Sequence, residues 1–324
     1  MNTLLRAIDL AVDDVIQDSG RDITRIEQEK LCYFAIQEFN LPMTYSWYIA
    51  GACARAAGDP NAAPGRTTVT SPSLGIHYDR GEDDCVRRYR DYFESETFFA
   101  DYDLKEIWWT NRYNFLEDFY KEYAPGRFKD LYLASIKIQT KLNTFKQIVE
   151  RDKANQTLAD FGEASGIPRY SRGEESDFRL LVSDFHLELA QIDELSETVG
   201  IITRGTDVLE QVFARLTELG ALTTDQQEVL GRLEPYFYFG IWGYPALYIS
   251  AETATGPEKH LTTKEHVERF LKHHEKLLEE TTNIRKQCHE AGLYPEPGHH
   301  SEQVGEQQVA HLQEAIREVL EGSE

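Results

Sequence analysis

Ile26 to Gly51 reads I-E-Q-E-K-L-C-Y-F-A-I-Q-E-F-N-L-P-M-T-Y-S-W-Y-I-A-G, and the fold is decided there. Leu31, Phe34, Ala35 and Phe39 keep helical spacing from Ile26 and Glu27, with Glu29, Gln37 and Glu38 on the other side. That period predicts an amphipathic helix. Asp22 or Thr24 can cap its start, and Glu27, three residues after Thr24, would complete a capping box. Asn40-Leu41-Pro42 ends it, because the residue before a proline is pushed out of the α region. Tyr45, Trp47 and Tyr48 follow at once, with Gly51 behind them. The turn forced by Pro42 should bring Trp47 and Tyr48 back against Leu31, Phe34 and Ala35. These two aromatics are candidate binding residues.

Outward from that stretch, the chain alternates helical periodicity with short punctuation. Upstream, Leu4, Leu5, Ile8, Val12 and Ile16 predict a first amphipathic helix closed by Gly20. Downstream, Gly58 to Gly65 is a turn region, and Thr67 to Thr70 with Leu74 to Tyr78 is the expected hairpin around Ser71-Pro72-Ser73. The carboxylates between Asp79 and Asp84 suit the start of the next helix and lack the spacing of a calcium loop. Long helices are expected over 128–154, 174–198, 201–219 and 263–291. Pro235 to Ala251 is almost uncharged, yet too short for a bilayer span and broken by Gly240, Gly243 and Pro245; it predicts a central core helix pair or a helix with a kink. The expected fold class is mostly α, in multi-helix bundle units with one short β-hairpin. Gly162 to Gly173 is the candidate boundary. It gives an N-terminal helical domain over 1–161, a second helical unit over 174–292, and a linker with an amphipathic C-terminal helix over 293–324.

Lys30-Leu31-x-Tyr33-Phe34-Ala35, the turn at Leu41-Pro42 and Ser46-Trp47-Tyr48-Ile49-x-Gly51 together resemble the opening of the Panacea domain. Gly51 is followed by Ala52 where that family carries proline. The resemblance covers residues 26–51. It implies a small, mainly helical module of antitoxin-like or adaptor character, of the kind found in toxin–antitoxin and proteolysis-linked proteins.

Charge bounds the setting. The 324 residues include 56 acidic and 34 basic ones, a formal net charge of -22, and arginine outnumbers lysine. Such an excess repels nucleic-acid phosphate and anionic membranes, so neither is an expected partner. Acid spread along most of the chain, with lysine scarce, suits a halophile's surface, where salt screens the self-repulsion. Cys32, Cys53, Cys85 and Cys288 form no C-x-x-C pair and are expected as buried thiols. Met1 to Ser19 carries Asp9, Asp13 and Asp14 within its apolar pattern, which reads as a helix and not as a signal peptide. A cytoplasmic protein without a membrane span is expected.

No catalytic signature stands out. Cys85 to Tyr123 is rich in aromatics interleaved with Arg87, Arg88, Arg90 and Arg112, as in single-strand binders. Yet Phe115, Leu116 and Phe119 keep core spacing with Trp108 and Trp109, so a core with snorkelling arginines accounts for the pattern better. Trp108, Trp109 and Arg112 remain candidate binding residues. Asp177, Asp184, His186, Glu188 and Glu194 invite a carboxylate-bridged metal, but the helices expected over 174–198 and 201–219 carry no Glu-x-x-His. His-Glu-x-x-His, Gly-x-Ser-x-Gly and a phosphate loop are also missing. No metal, cofactor or catalytic residue is assigned. His266 and His273, seven residues apart, are expected on a solvated helix face. In the last predicted helix, Val309, Leu312, Ile316, Val319 and Leu320 form one narrow stripe, so Leu312 and Ile316 are candidate docking residues. The expectation is a non-enzymatic, protein-binding regulatory or adaptor protein, antitoxin- or defence-linked, with a protein partner or as a homo-oligomer. The alternative is an enzyme or nucleic-acid-acting component with a dispersed site in the aromatic-rich segment.

Overall fold

The computed structural model describes residues 3–16, 24–54, 80–95, 111–159, 171–219 and 222–294. Among them the chain is mostly α-helical, with one two-stranded antiparallel hairpin. Packing sorts the chain into two units. One takes residues up to 132 together with 246–269; the other takes 133–245 and the residues from 270 onward.

In the first unit, α1 (Thr3–Ile16) packs its Ala7, Ile8, Ala11 and Val12 face against α2 (Arg25–Phe39) and α3 (Arg80–Phe93). The capping box of α2 is present: Thr24 Oγ1 accepts from the Glu27 amide, and the Glu27 carboxylate accepts from the Thr24 amide at 2.8 Å. Asn40 ends the helix in the left-handed region at φ 46°, which asparagine tolerates better than most residues. The helix is less amphipathic than its sequence predicts. Lys30 through Ile36 are buried without a break, because neighbouring elements cover it on more than one side.

The hairpin lies inside the aromatic stretch. β1 (Tyr45–Tyr48) pairs with β2 (Gly51–Ala54), Trp47 opposite Ala52 and Tyr48 opposite Gly51. Gly51 has φ +88°, and a Cβ there would stand 2.8 Å from Tyr120 Cε1; both facts demand glycine. The segment expected to form the hairpin, Thr67 to Tyr78, lies outside the described residues. β2 reads Gly-Ala-Cys-Ala, without a β-branched or aromatic residue, so the sequence carried little strand signal. Downstream, α4 (Arg112–Tyr123) buries Tyr113, Phe115, Leu116, Phe119 and Tyr120.

The second unit holds most of α5 (Lys129–Ala159), then α6 (Arg172–Ala190), α7 (Val199–Leu216) and α8 (Thr224–Leu230). α6 has a capping box from Ser171 and Glu174. It ends at Ala190, earlier than predicted, and a 3₁₀ turn over Asp193–Thr198 leads to α7. Phe178 stacks on Phe213 at 4.1 Å between ring centroids, and Phe145 packs on the same ring. Phe185 meets Phe237 and Trp242. In the stretch expected as a core helix pair or a kinked helix, a π-helical turn over Tyr236–Ile241 is followed by α9 (Gly243–Glu252). α10 (Lys259–Glu290) supplies residues to each unit. No helix among the described residues is long and apolar enough to cross a membrane.

The expected division at 162–173 followed the order of the sequence. Packing instead gives 133–159 to the second unit and returns 246–269 to the first. The expected linker from Pro295 and the C-terminal helix lie outside the described residues.

Candidate functional site

Alternation along β1 sends Trp47 one way and Ser46 and Tyr48 the other. Trp47 is enclosed: its ring stacks on Phe119 at 5.3 Å and meets the edges of Tyr33 and Tyr132. Its amide donates to Thr253 Oγ1 at 2.9 Å. Beside it Lys30 is fully buried; its Nζ donates to the Ala52 carbonyl at 2.6 Å and lies 5.5 Å from the centre of the Phe119 ring. Burial holds this ammonium below its ordinary pKa, since a desolvated charge is costly.

On the other side of β1 runs a chain of three polar groups. Ser46 Oγ is 2.7 Å from Ser250 Oγ, and Ser250 Oγ is 2.6 Å from His266 Nδ1. Tyr48 lies flat on the His266 ring at 5.1 Å, and Arg269 donates to the Tyr48 hydroxyl at 3.0 Å. Burial raises the Tyr48 phenol, with Arg269 opposing. Hydroxyl and imidazole at such distances are the geometry of a nucleophile and its base. Here all three are enclosed, His266 being only 6 % exposed. The chain satisfies its own hydrogen bonds and fixes the hairpin to α9 and α10.

The second unit treats its histidines in the same way. His186 Nε2 stands 2.9 Å from Thr206 Oγ1, whose hydroxyl also reaches the carbonyls of Ile202 and Thr203. With that hydroxyl donating to a carbonyl, the imidazole must donate to Thr206. Burial pushes the pKa of His186 down to about 4. His273 Nε2 donates to the Gly240 carbonyl at 2.9 Å, and Tyr244 stacks on its ring. The solvated face expected for His266 and His273 is therefore corrected. Both are buried, because each finds a polar partner inside its unit. On α7, Glu210 has its carboxyl raised to about 7, chiefly by burial and against the pull of Arg179. Among the described residues, no group of three or more His, Cys, Asp or Glu could hold a metal ion.

A family model described as a domain of unknown function, DUF8098, matches residues 1–322. The chain belongs to that family. No curated protein and no solved structure matches it.

Of the residues of this DUF8098 chain singled out in sequence, Trp47 is part of the core, and Tyr48 is the half-buried cover of His266. Arg112 opens α4, exposed, with its guanidinium over Tyr113 at 5.6 Å. Trp108, Trp109, Leu312 and Ile316 lie outside the described residues. Sequence reasoning missed the Ser46–Ser250–His266 chain, whose members stand 204 and 16 residues apart; no motif spacing could have joined them. It also missed the large apolar side chains left outside, among them Leu180, 62 % exposed, and Leu187, 41 % exposed.

Proposed function

We propose that this DUF8098 chain is a non-enzymatic, protein-binding regulatory or adaptor protein of the cytoplasm of a halophilic cell. Its antitoxin- or defence-linked character rests on the resemblance of residues 26–51 to the Panacea domain. One observation carries the protein-binding reading. Among the described residues, the hydrogen-bonded hydroxyl and imidazole groups Ser46, Ser250, His186, His266 and His273 are enclosed, while Leu180, Leu187, Leu261, Val267 and Leu271 are exposed. Exposed apolar side chains on helix faces are what a partner covers. The net charge of -22 supports the saline setting.

The Ser46–Ser250–His266 chain favours one other reading, a hydrolase whose site opens on binding. A single experiment separates the two. The full chain, immobilised in molar potassium chloride, is used to capture partners from native cells, and it is also exposed to a fluorophosphonate. Capture that Leu261→Asp with Val267→Asp abolishes at unchanged melting temperature is the expected result. Covalent labelling of Ser46 or Ser250 would overturn the non-enzymatic reading.

A further inference from the structure

α6 has two faces. Phe178, Val182, Phe185 and Leu189 pack inward. On the opposite side Gly173, Ser176, Leu180, Ser183 and Leu187 are all exposed, and their spacing of three and four residues is the a/d pattern of a helix seam. A Cβ added at 173 would come no nearer than 3.7 Å to Ser171 Oγ, so packing within the chain does not require glycine there. Small side chains at 173, 176 and 183, alternating with two leucines, let another helix approach closely.

The charges beside this seam select the occupant. Arg172 and Arg179 flank one edge, at the positions before each a residue; Asp177 and Asp184 flank the other, directly after each d residue. All four are exposed. In a parallel pair of identical helices, each such flank meets the other helix five residues further on. Arg172 then faces Asp177 of the second copy, and Arg179 faces its Asp184, twice over by symmetry. An antiparallel pair would set arginine against arginine and aspartate against aspartate. Arg179 also pairs with Glu175 of its own helix at 2.9 Å, which holds the guanidinium at the rim of the seam.

We propose that the outer face of α6 is where two copies of this chain pair, with their α6 helices parallel and in register. This deepens the protein-binding reading by naming one partner. The long-range repulsion between two chains of net charge -22 is screened beyond about 10 Å at ordinary ionic strength, so pairing is expected in salt and opposed in dilute buffer.

The test uses the full chain with Ser183→Cys. A parallel, in-register seam puts residue 183 beside its own copy, so mild oxidation should give a disulfide-linked dimer that Asp225→Cys, an exposed control, does not give. Light scattering in moderate salt should show a dimer, and Arg179→Asp should weaken it by about tenfold. Adding Asp184→Arg to that variant should restore the pairing, since the charges are exchanged across the seam. Within one helix, residues five apart do not face each other, so the rescue cannot come from inside the chain. A monomer at every salt concentration, a thiol at position 183 that links only to a different protein, or a double variant no better than Arg179→Asp would overturn the proposal. Partner capture by the Arg179→Asp variant tests the adaptor reading separately. It succeeds or fails whether or not the chain pairs with itself.

Discussion

At the scale of single residues, the hairpin and the buried histidines make the sharpest predictions. Trp47 is held between Phe119, Tyr33 and Tyr132, so Trp47→Ala should cost about 3–5 kcal/mol as a core truncation. Chemical denaturation would read this, and a loss below about 0.5 kcal/mol would place the ring outside the core. His186 titrates at about 4 in the fold against an ordinary 6.5. The unfolded chain therefore binds its proton first, and stability present above pH 6.5 is lost as pH falls toward 4, by about 3 kcal/mol for that ring. Glu210 acts in the opposite sense: its carboxyl, raised from 4.5 to about 7, stabilises below pH 4.5 and loses that contribution as pH rises through 7. Unfolding free energies of His186→Gln and Glu210→Gln should accordingly gain on the native chain at acid and at alkaline pH respectively. Equal pH profiles for all three proteins would contradict both assignments. Little of this was legible beforehand. Ser46 and His266 look like ordinary polar residues until the fold joins them across more than two hundred positions.

At the scale of elements, the sequence was a better guide. The capping box at Thr24 and Glu27 and the stop at Asn40 and Pro42 rest on local chemistry, and local chemistry is readable. The hairpin over Tyr45–Ala54 went unread because its second strand is built of small residues. α2 is buried over more of its surface than its pattern implies because α1, β2 and the Phe119 and Tyr123 rings all pack on it, while Gln37 and Glu38 stay exposed. A further prediction belongs to the last segment, from Val304. Its apolar stripe is too short to hold an isolated helix in water. Deleting Val304 to Glu324 should leave the melting temperature nearly unchanged while altering partner capture. Failure of the truncated chain to fold would make that segment part of the core.

For the molecule as a whole, charge sets the conditions of stability. Fifty-six acidic residues against 34 basic ones leave a surplus spread along the chain, and self-repulsion of that kind is relieved by salt. Melting temperature should rise from dilute to molar potassium chloride; a flat profile would remove the halophile reading. Composition gives the charge surplus but not the division into units, because a boundary sought along the sequence cannot reveal a segment that comes back.

That return has a consequence for how the protein is made. Ser46 and the Trp47 amide find their partners at Ser250 and Thr253, and the backbone of Tyr45 is bridged to Thr255. At ordinary elongation rates, a gap of 204 residues takes roughly 10–40 s to synthesise. For that interval the Ser46 hydroxyl, the Trp47 amide and the Tyr45 backbone lack the partners they have in the fold. A message cut short before codon 246 would release a first unit that lacks residues 246–269 and the partners they supply to the hairpin.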